Sequence, residues 1–582
     1  GKLNTNDEAN RSRAPTEISA LDPRTGETRR TFPAGLAHCF PPVATPNYMF
    51  AGELDMTDLS SGEVIANRIT KANCSRESGW IPSNGLVYTT PKHCTCWPML
   101  RGFVAMAPAS SDPSHPARLP VDQLTFLLEK GPASADADAS VPSDDDWPLY
   151  RHDRWRSGSA VTAGPKRLQT KWSLALQAEN ERRAKMGGPI LHDWKENPVV
   201  KGPLSPPTVA RGIAYVARPD AHEVIAIDTN SGQIRWRFTA NGRVDTPPAI
   251  HKGLCLFGTA AGWVYAITAD DGRLVWRLRA APTDERIVAY GQVESPWPVP
   301  GAVLVMDDIA YFAAGRQPLA DGGILVFAVD PLTGQRHWVQ RIDSVPQKGF
   351  YENSGLEFDP FDLLHAEGDG LAMSRWILSR DGKQVDVDKW NAFAKLNTGA
   401  GEVWIPRGTW TYGARHQHRF SGEAPRRPLT TFRDDDVYSS LYGSTQVFRR
   451  SFKLDEGETF DNKWITGWEA GKVAREGGNP YRNYRIAKNA QWTKDPFGDP
   501  DAPAEQPEYG TQLHNDIHAM ALSGDDKLYV VHRDGRLKEI STETGYVLRE
   551  MQVPQPSWDG LAIAENRLYL TTQTGEVICI GR

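Results

Sequence analysis

Residues 226–236 read AIDTNSGQIRW, and the phrase returns as AITADDGRLVW at residues 266–276 and as AVDPLTGQRHW at residues 328–338. In each copy an apolar run leads into a turn with Gly, and Trp ends the run that follows. Recurrence at a spacing of roughly 40 to 60 residues is the signature of a repeat architecture. We therefore expect each copy to belong to one repeated structural unit.

A further apolar, strand-like run precedes each phrase, so each unit reads as an antiparallel meander, the blade of a β-propeller. The pattern predicts an all-β fold in which residues 1–582 form a single propeller domain of seven or eight four-stranded blades, eight being favoured. A blade cannot bury both faces alone, so blades must stack around an axis. Because the chain ends on early strands of a unit, we expect its N-terminal strand to complete the C-terminal blade. Weaker copies of the phrase lie at residues 20–26, 57–62, 539–545 and 566–571.

Two segments interrupt the repeats. Residues 131–146 are small and acidic, which is typical of an exposed loop or linker. Residues 471–506 are rich in Gly, Pro, Asn and charge, and we interpret them as a long inserted loop. Long loops on rigid scaffolds often carry function.

Composition excludes some classes of protein. The 582 residues have a formal net charge of −6 and a pI near 6.2, which argues against a nucleic-acid binder. No apolar run is long enough to predict a membrane span. The expected partner is a carbohydrate substrate or a polar small ligand, and the chain is expected to be a monomer.

Four of the six cysteines, Cys39, Cys74, Cys94 and Cys96, lie in the first hundred residues. Structural disulfides are favoured over a metal cluster, with Cys94 and Cys96 each bonded to Cys39 or Cys74, because a Cys94–Cys96 bond would be strained. Disulfides would place the protein in the periplasm or outside the cell. Cys255 and Cys579 stand alone in strand-like runs and are expected to be buried apolar residues.

The register of the phrase locates the links between blades, which in a propeller meet at one axial mouth. Several links carry polar or charged residues at the same place, although such residues also serve to satisfy turn backbone. His152 and His222 are further acid–base candidates. Ser205, Arg243, Asp245, Glu294, Asp362, His518 and Asp559 occupy the links, and Arg286, Tyr290 and Arg316 lie near the same mouth.

Histidine spacing gives a candidate metal site. His514, Asp516 and His518 alternate, so on an extended segment they share one face. His416 and His418 form a second alternating pair. Imidazole and carboxylate ligands suit a divalent metal such as Ca, Mn or Zn, and a solvated polar loop is the alternative.

The Ala-x-Asp-x-x-Thr-Gly-x-x-x-Trp phrase resembles the tryptophan-docking motif of the quinoprotein dehydrogenase-like propellers, which have eight blades. That group includes enzymes that use pyrroloquinoline quinone (PQQ) and non-catalytic assembly factors. Residues 147–152 (WPLYRH) and 287–298 (IVAYGQVESPWP), among other stretches, are also similar to the large PQQ-like propeller proteins of planctomycete-type bacteria. The resemblance covers most of the chain and implies the fold.

Departures from that group bear on the cofactor and on specificity. PQQ dehydrogenases carry an adjacent Cys-Cys pair beside the quinone, and no such pair occurs here. No motif matches their calcium ligands or catalytic Asp, so a bound PQQ is not expected. Pro406 stands where the planctomycete-type group leads us to expect His, and His518 where it leads us to expect Arg.

The favoured function is an exported carbohydrate-active enzyme, a lyase or hydrolase on an acidic polysaccharide. A lyase needs a cation that neutralises the uronate and a base that removes its α-proton. A hydrolase would use two carboxylates such as Asp245 and Glu294. The alternatives are a non-catalytic ligand-binding or assembly propeller and a PQQ-dependent dehydrogenase. The expected catalytic residues are His222, Arg243, Asp245, Tyr290, Glu294, Arg316 and His518.

Overall fold

The computed structural model describes most of the chain. The residues that it describes are 17–33, 42–51, 55–66, 79–90, 104–176, 202–289, 292–318, 320–343, 364–367, 369–373, 376–384, 429–441, 443–451, 487, 490–504 and 516–581.

Contacts group the residues into two compact units, where the sequence analysis expects one domain. The first unit comprises residues 1–124, 315–324 and 341–358, and the second comprises residues 125–314, 325–340 and 359–582. The described parts of both are built from antiparallel strands, which confirms the all-β prediction. None of the described helical turns has the length and apolar character needed to cross a membrane.

The first unit holds three described sheets: the hairpin β1-β2, the four-stranded sheet β3-β4-β5-β6 and the three-stranded sheet β7-β8-β9. A short 3₁₀ turn follows at Val121–Gln123. The strands are β1 (Glu17–Leu21), β2 (Thr28–Pro33), β3 (Val43–Ala44), β4 (Tyr48–Ala51), β5 (Asp55–Asp58), β6 (Val64–Ala66), β7 (Ile81–Ser83), β8 (Leu86–Thr89) and β9 (Val104–Met106).

The second unit holds the repeats. Its strands are β10 (Leu128–Lys130), β11 (Thr170–Ala175), β12 (Thr208–Ala210), β13 (Ile213–Arg218), β14 (Glu223–Asp228), β15 (Ile234–Thr239), β16 (Ala249–His251), β17 (Leu254–Gly258), β18 (Trp263–Thr268), β19 (Leu274–Arg279), β20 (Ile287–Ala289), β21 (Gln292–Glu294), β22 (Leu304–Met306), β23 (Ile309–Ala314), β24 (Ile324–Val329), β25 (Arg336–Ile342), β26 (His365–Glu367), β27 (Gly370–Met373), β28 (Trp376–Leu378), β29 (Thr430–Arg433), β30 (Asp436–Ser440), β31 (Val447–Ser451), β32 (Trp492–Lys494), β33 (Ile517–Leu522), β34 (Lys527–His532), β35 (Arg536–Ser541), β36 (Val547–Gln552), β37 (Pro556–Ala564), β38 (Arg567–Thr572) and β39 (Glu576–Ile580).

Four of the eight described sheets of this unit are four-stranded meanders in chain order, as the repeats predict. The described sheets are β12-β13-β14-β15, β22-β23-β24-β25, β26-β27-β28, β29-β30-β31-β32, β33-β34-β35-β36, the five-stranded β10-β19-β18-β17-β16, the sheet β11-β39-β38-β37 and the hairpin β20-β21.

The last described strand, β39, pairs with β11, whereas the first described strand, β1, pairs with β2. The partner predicted for the C-terminal sheet was therefore the wrong strand, because β11 supplies the edge that β1 was expected to supply. Closure of a complete ring stays a prediction.

The two interrupting segments are partly ordered against the sheets. Residues 131–146 contain no strand, but the Asp146 side chain is buried and accepts a hydrogen bond from the Arg211 amide at 2.9 Å. Within residues 471–506, Trp492–Lys494 is the outer strand β32 rather than loop. The lone cysteines Cys255 and Cys579 are buried and unbonded, as expected, whereas Cys39, Cys74, Cys94 and Cys96 lie outside the described residues.

The repeated phrase docks one sheet on the next. In the turn at residues 228–232, the Asp228 carboxylate accepts the Ser231 amide at 2.8 Å, and Gly232 adopts a φ of 71°. The Trp236 indole N–H donates to the Ala269 carbonyl at 2.9 Å, and its ring lies against Gly272 of the next phrase. Five such pairs recur: Trp172 with Gly232, Trp236 with Gly272, Trp276 with Gly334, Trp338 with Gly382 and Trp492 with Gly545.

One internal segment, residues 145–164, contacts seven sheets of the second unit. In each sheet it meets one edge strand or the residues immediately before that strand. Its contacts are hydrogen bonds or ion pairs to groups that are far apart in the sequence. They join Trp147 to Val209, Pro148 to Ile250, Arg156 to Ala302 and Val303, Arg154 to Ala366, Ser157 to Phe432, Gly158 to Leu522 and Arg151 to Asp559.

At the centre of the internal segment, the Arg151 guanidinium binds both carboxylate oxygens of Asp559 at 2.8 Å, and the Tyr150 hydroxyl donates to the same carboxylate at 2.6 Å. Arg151 and Asp559 expose 8% and 5% of their side chains. Both residues have positive φ, of 56° and 55°. Such backbone strain persists only where the surroundings over-determine it, which a buried ion pair with an added tyrosine hydrogen bond does here.

Gly272→Ala should destabilise the second unit by about 2–4 kcal/mol, because a Cβ at φ 71° would be strained and would lie 2.8 Å from the Trp236 ring. Urea unfolding measures the change. Gly212→Ala is the control, since Gly212 has a φ of 74° but no atom closer than 3.8 Å to its added Cβ. Equal losses for the two variants would contradict the docking interpretation.

Asp559→Asn should cost about 3–5 kcal/mol of unfolding free energy, because it leaves the buried Arg151 charge without its counterion while Asn still tolerates the positive φ. Asp526→Asn is the matched control. Asp526 also has a positive φ, of 57°, but its carboxylate is 77% exposed in an ion pair with Arg433. Thermal and urea unfolding should separate the two variants clearly, and a small loss for Asp559→Asn would argue against a central role for the ion pair.

Candidate functional site

The loop between β15 and β16 carries the candidate site, and a close approach of backbone fixes its path. The Ala260 amide donates to the Arg243 carbonyl at 2.8 Å. A Cβ on Gly242 would lie 2.7 Å from the Cβ of Ala261 and 2.8 Å from its amide nitrogen. Only glycine lets this loop lie so close to the β17–β18 turn, and that contact aims the next side chain, Arg243.

Arg243 is bound by two carboxylates. Its Nε and Nη2 donate to the two oxygens of Asp245 at 2.5 and 3.1 Å, and its Nη1 lies 2.5 Å from Glu294. Nη1 also donates to the Gln292 side-chain oxygen at 2.7 Å. The side chains of Arg243, Asp245 and Glu294 expose 3%, 1% and 2% of their surface. We call these four residues the Arg243 cluster.

Burial and charge act in opposite directions on this guanidinium. Burial alone would lower the pKa of Arg243, but the Asp245 and Glu294 carboxylates outweigh it and raise that pKa above its usual value. Arg243 is therefore a permanent cation whose charge is matched within the protein. Since a guanidinium has five N–H donors in one plane, the three partners occupy most of its capacity.

The Arg243 cluster also anchors a neighbouring element. Gln292 and Glu294 lie in β21, which pairs with β20 in a separate hairpin through Ile287↔Glu294 and Ala289↔Gln292. The Ser295 amide donates to the Ala260 carbonyl at 3.0 Å just beyond the hairpin. The ion pair thus ties the β15–β16 loop to the segment that leads into the next sheet.

The structure brings three of the predicted catalytic residues together, Arg243, Asp245 and Glu294. Their assignment to catalysis stays a prediction. His222 ends the short 3₁₀ turn Pro219–Ala221 with φ 56°, and its carbonyl accepts the Ala240 amide at 2.8 Å. Arg316 belongs to the other compact unit and is half-buried, and Tyr290 lies outside the described residues.

Other predicted link residues have different surroundings. His518 lies in β33, where its Nδ1 is 3.5 Å from the Pro556 carbonyl and its ring packs edge-on to Trp558 at 5.6 Å. The Ser205 hydroxyl accepts the Ala217 amide at 2.9 Å, which is the backbone-satisfying role that such residues often have. Asp559 serves the internal segment.

The predicted metal site is only partly described. Asp516 lies 2.9 Å from the Arg533 guanidinium, a contact that competes with metal binding. In the described part of the chain, no group of three or more His, Cys, Asp or Glu side chains is arranged to hold a metal ion. His514, His416 and His418 lie outside the described residues, so a divalent metal there stays a prediction.

The sequence does not predict that Tyr150, Arg151 and Asp559 form one hydrogen-bonded network. The sequence analysis names Asp559 only as a link residue and residues 147–152 only through a resemblance. No sequence signal joins residues 409 positions apart, and a positive φ at Arg151 has no marker such as Gly.

Comparison with known proteins agrees with the repeats. A family model described as outer membrane protein assembly factor BamB, of the PQQ-like repeat type, matches residues 162–353. By this match, residues 162–353 carry repeats of the PQQ-like type. A likeness to the planctomycete-type PQQ-like propeller proteins stays a prediction. No curated protein matches the chain in sequence.

Solved structures similar to the chain include an assembly factor and two alcohol dehydrogenases. BamB from Moraxella catarrhalis is 12% identical over 64% of this chain and 80% of that one, with a TM-score of 0.28. Quinohemoprotein alcohol dehydrogenase from Comamonas testosteroni is 14% identical over 77% and 82%, with a TM-score of 0.36. The enzyme ADHIIG from Pseudomonas putida HK5 is 12% identical over 75% and 80%, with a TM-score of 0.38. At these scores the likeness carries no argument about function.

A quinone cofactor does not fit the cysteines of this chain. The six cysteines include no adjacent pair of the kind expected beside PQQ. The two that are described, Cys255 and Cys579, are lone and buried, and burial raises the pKa of each thiol. No chemical step is therefore assigned to a quinone here.

Arg243→Lys should cost about 2–4 kcal/mol of unfolding free energy, because an ammonium cannot bind Asp245 through two donors and also reach Glu294 and Gln292. Arg235→Lys is the matched control. Arg235 also pairs with an aspartate, Asp228 at 2.6 Å, but it is 41% exposed, and such pairs contribute little. Urea unfolding of both variants checks this, and a loss for Arg243→Lys no larger than the control's would contradict the structural role.

Proposed function

We propose that the protein is an exported, non-catalytic binding propeller. The sheets of the second unit would be its blades, seven or eight in number, gathered around the internal segment. This is one of the alternatives that the sequence analysis keeps, and it is preferred here to a carbohydrate-active enzyme.

One observation carries the proposal: the charged side chains expected to do chemistry form ion pairs with one another. The lyase mechanism needs a cation that meets a substrate carboxylate. Arg243 already meets two carboxylates and an amide oxygen, and it exposes 3% of its side chain. Admitting a uronate would require breaking a buried ion pair, at a cost of about 3–5 kcal/mol.

The hydrolase mechanism meets the same obstacle. It needs one carboxylic acid that gives a proton and one carboxylate beside it, both facing the glycosidic bond. Asp245 and Glu294 instead both bind the Arg243 guanidinium, at 2.5 Å each. The description of the matching family, an assembly factor, is consistent with binding rather than turnover.

A turnover screen tests the proposal. Incubation with uronate-containing and sulfated polysaccharides should give neither the ultraviolet absorbance of unsaturated lyase products nor new reducing ends. Glu294→Gln, which keeps the side-chain shape, is the matched variant. Turnover by the wild-type protein that Glu294→Gln abolishes would overturn the proposal and restore the enzyme hypothesis.

A further inference from the structure

The hairpin β20-β21 presents an apolar pair to solvent. Val288 and Val293 lie directly opposite each other in its register. They are 75% and 70% exposed, more than any other large apolar side chain in the described part of the chain. Apolar side chains that are exposed side by side mark an interaction site more often than scattered single ones do.

Side-chain alternation and the Arg243 cluster together set this orientation. Because successive strand residues face opposite sides, Gln292 and Glu294 share one face of β21 and Val293 takes the other. Arg243 holds Gln292 and Glu294 inward at 2.7 and 2.5 Å. Val293 and its cross-strand neighbour Val288 are therefore held outward.

The hairpin is supported from within the protein. A two-stranded hairpin alone is marginally stable in water. Here the buried ion pair anchors β21, and the Arg286 guanidinium donates to the Ala261 carbonyl at 3.4 Å beside the start of β20. The valine pair is therefore presented on a fixed support.

We propose that this hairpin is a docking surface for an extended apolar segment of a partner protein, which adds to it as a third strand. Among the described residues, β20 pairs with no strand other than β21, so its second edge is available to the main chain of an incoming strand. The valines would pack against alternate side chains of the incoming strand. This inference rests on the proposed binding function and names the class of its partner.

Area and charge favour a short peptide over a second copy of this chain. A stable protein dimer buries about 800 Å² on each partner, which two valine side chains fall far short of. Asp284, Glu285 and Arg286 at the base of the hairpin carry one net negative charge, and the Asp284 side chain is 67% exposed. The segment should therefore carry a basic residue at the end that meets this base.

Binding of a labelled peptide to the full-length protein tests the inference. The probe is a short peptide in which valine and threonine alternate between terminal lysines, and its control replaces the central residue with proline, which cannot join a strand ladder. Fluorescence anisotropy should detect saturable binding of the first peptide only. The double variant Val288→Thr, Val293→Thr, which keeps β-branched side chains, should weaken binding about tenfold or more.

Val161→Thr is the matched control, because Val161 is 59% exposed and lies outside the hairpin. It should bind the peptide as the wild type does, and both variants should unfold at the wild-type urea concentration. No binding by the wild type, equal binding by the double variant, or binding of the proline peptide would overturn the inference. Self-association of the wild type that the double variant abolishes would overturn it in favour of a second copy. None of these outcomes measures turnover of a substrate. The turnover screen therefore tests the proposed function separately from this inference.

Discussion

The stacking of an indole on a glycine is the constraint on which the repeat region depends. Each Trp lies near the start of a strand in one sheet and donates its N–H to a carbonyl in the turn of the next sheet. The glycine in that turn is needed twice, because it takes a positive φ and because its missing Cβ makes room for the ring. Sheets that share this contact have their spacing and rotation fixed, and the loops between them inherit those positions.

The sequence predicts this layer well because the requirement is local. A Gly, a Trp and an alternating apolar run at fixed spacing leave few other structures open. The turn residues around Asp228 and Asp330 behave as their types predict. Failures of prediction are long-range: β11 rather than β1 pairs with β39, because strands 400 residues apart in the sequence leave no mark that distinguishes one edge strand from another.

The sequence predicts which residues meet at the candidate site, but it does not predict that they are buried. The register brought Arg243, Asp245 and Glu294 to one place, since link residues of adjacent sheets must be neighbours. The burial of these side chains could not be predicted from the sequence. It depends on how closely Gly242 approaches Ala261, a distance that no residue pattern encodes. The same three side chains on an open loop would be reactive, and here they are largely withdrawn from water.

The internal segment has a consequence for how the chain acquires its structure. Residues 145–164 leave the ribosome before all of the edge strands that they later contact. Tyr150 can bind Asp559 only after another 409 residues have been made. Contacts of such sequence separation are slow to form, because loop closure precedes any gain from them. During synthesis the segment therefore gains its partners one sheet at a time, beginning with Val209 for Trp147. The polar groups of Tyr150 and Arg151 remain hydrated until the strand that carries Asp559 has been made, so this network forms after the other contacts of the segment.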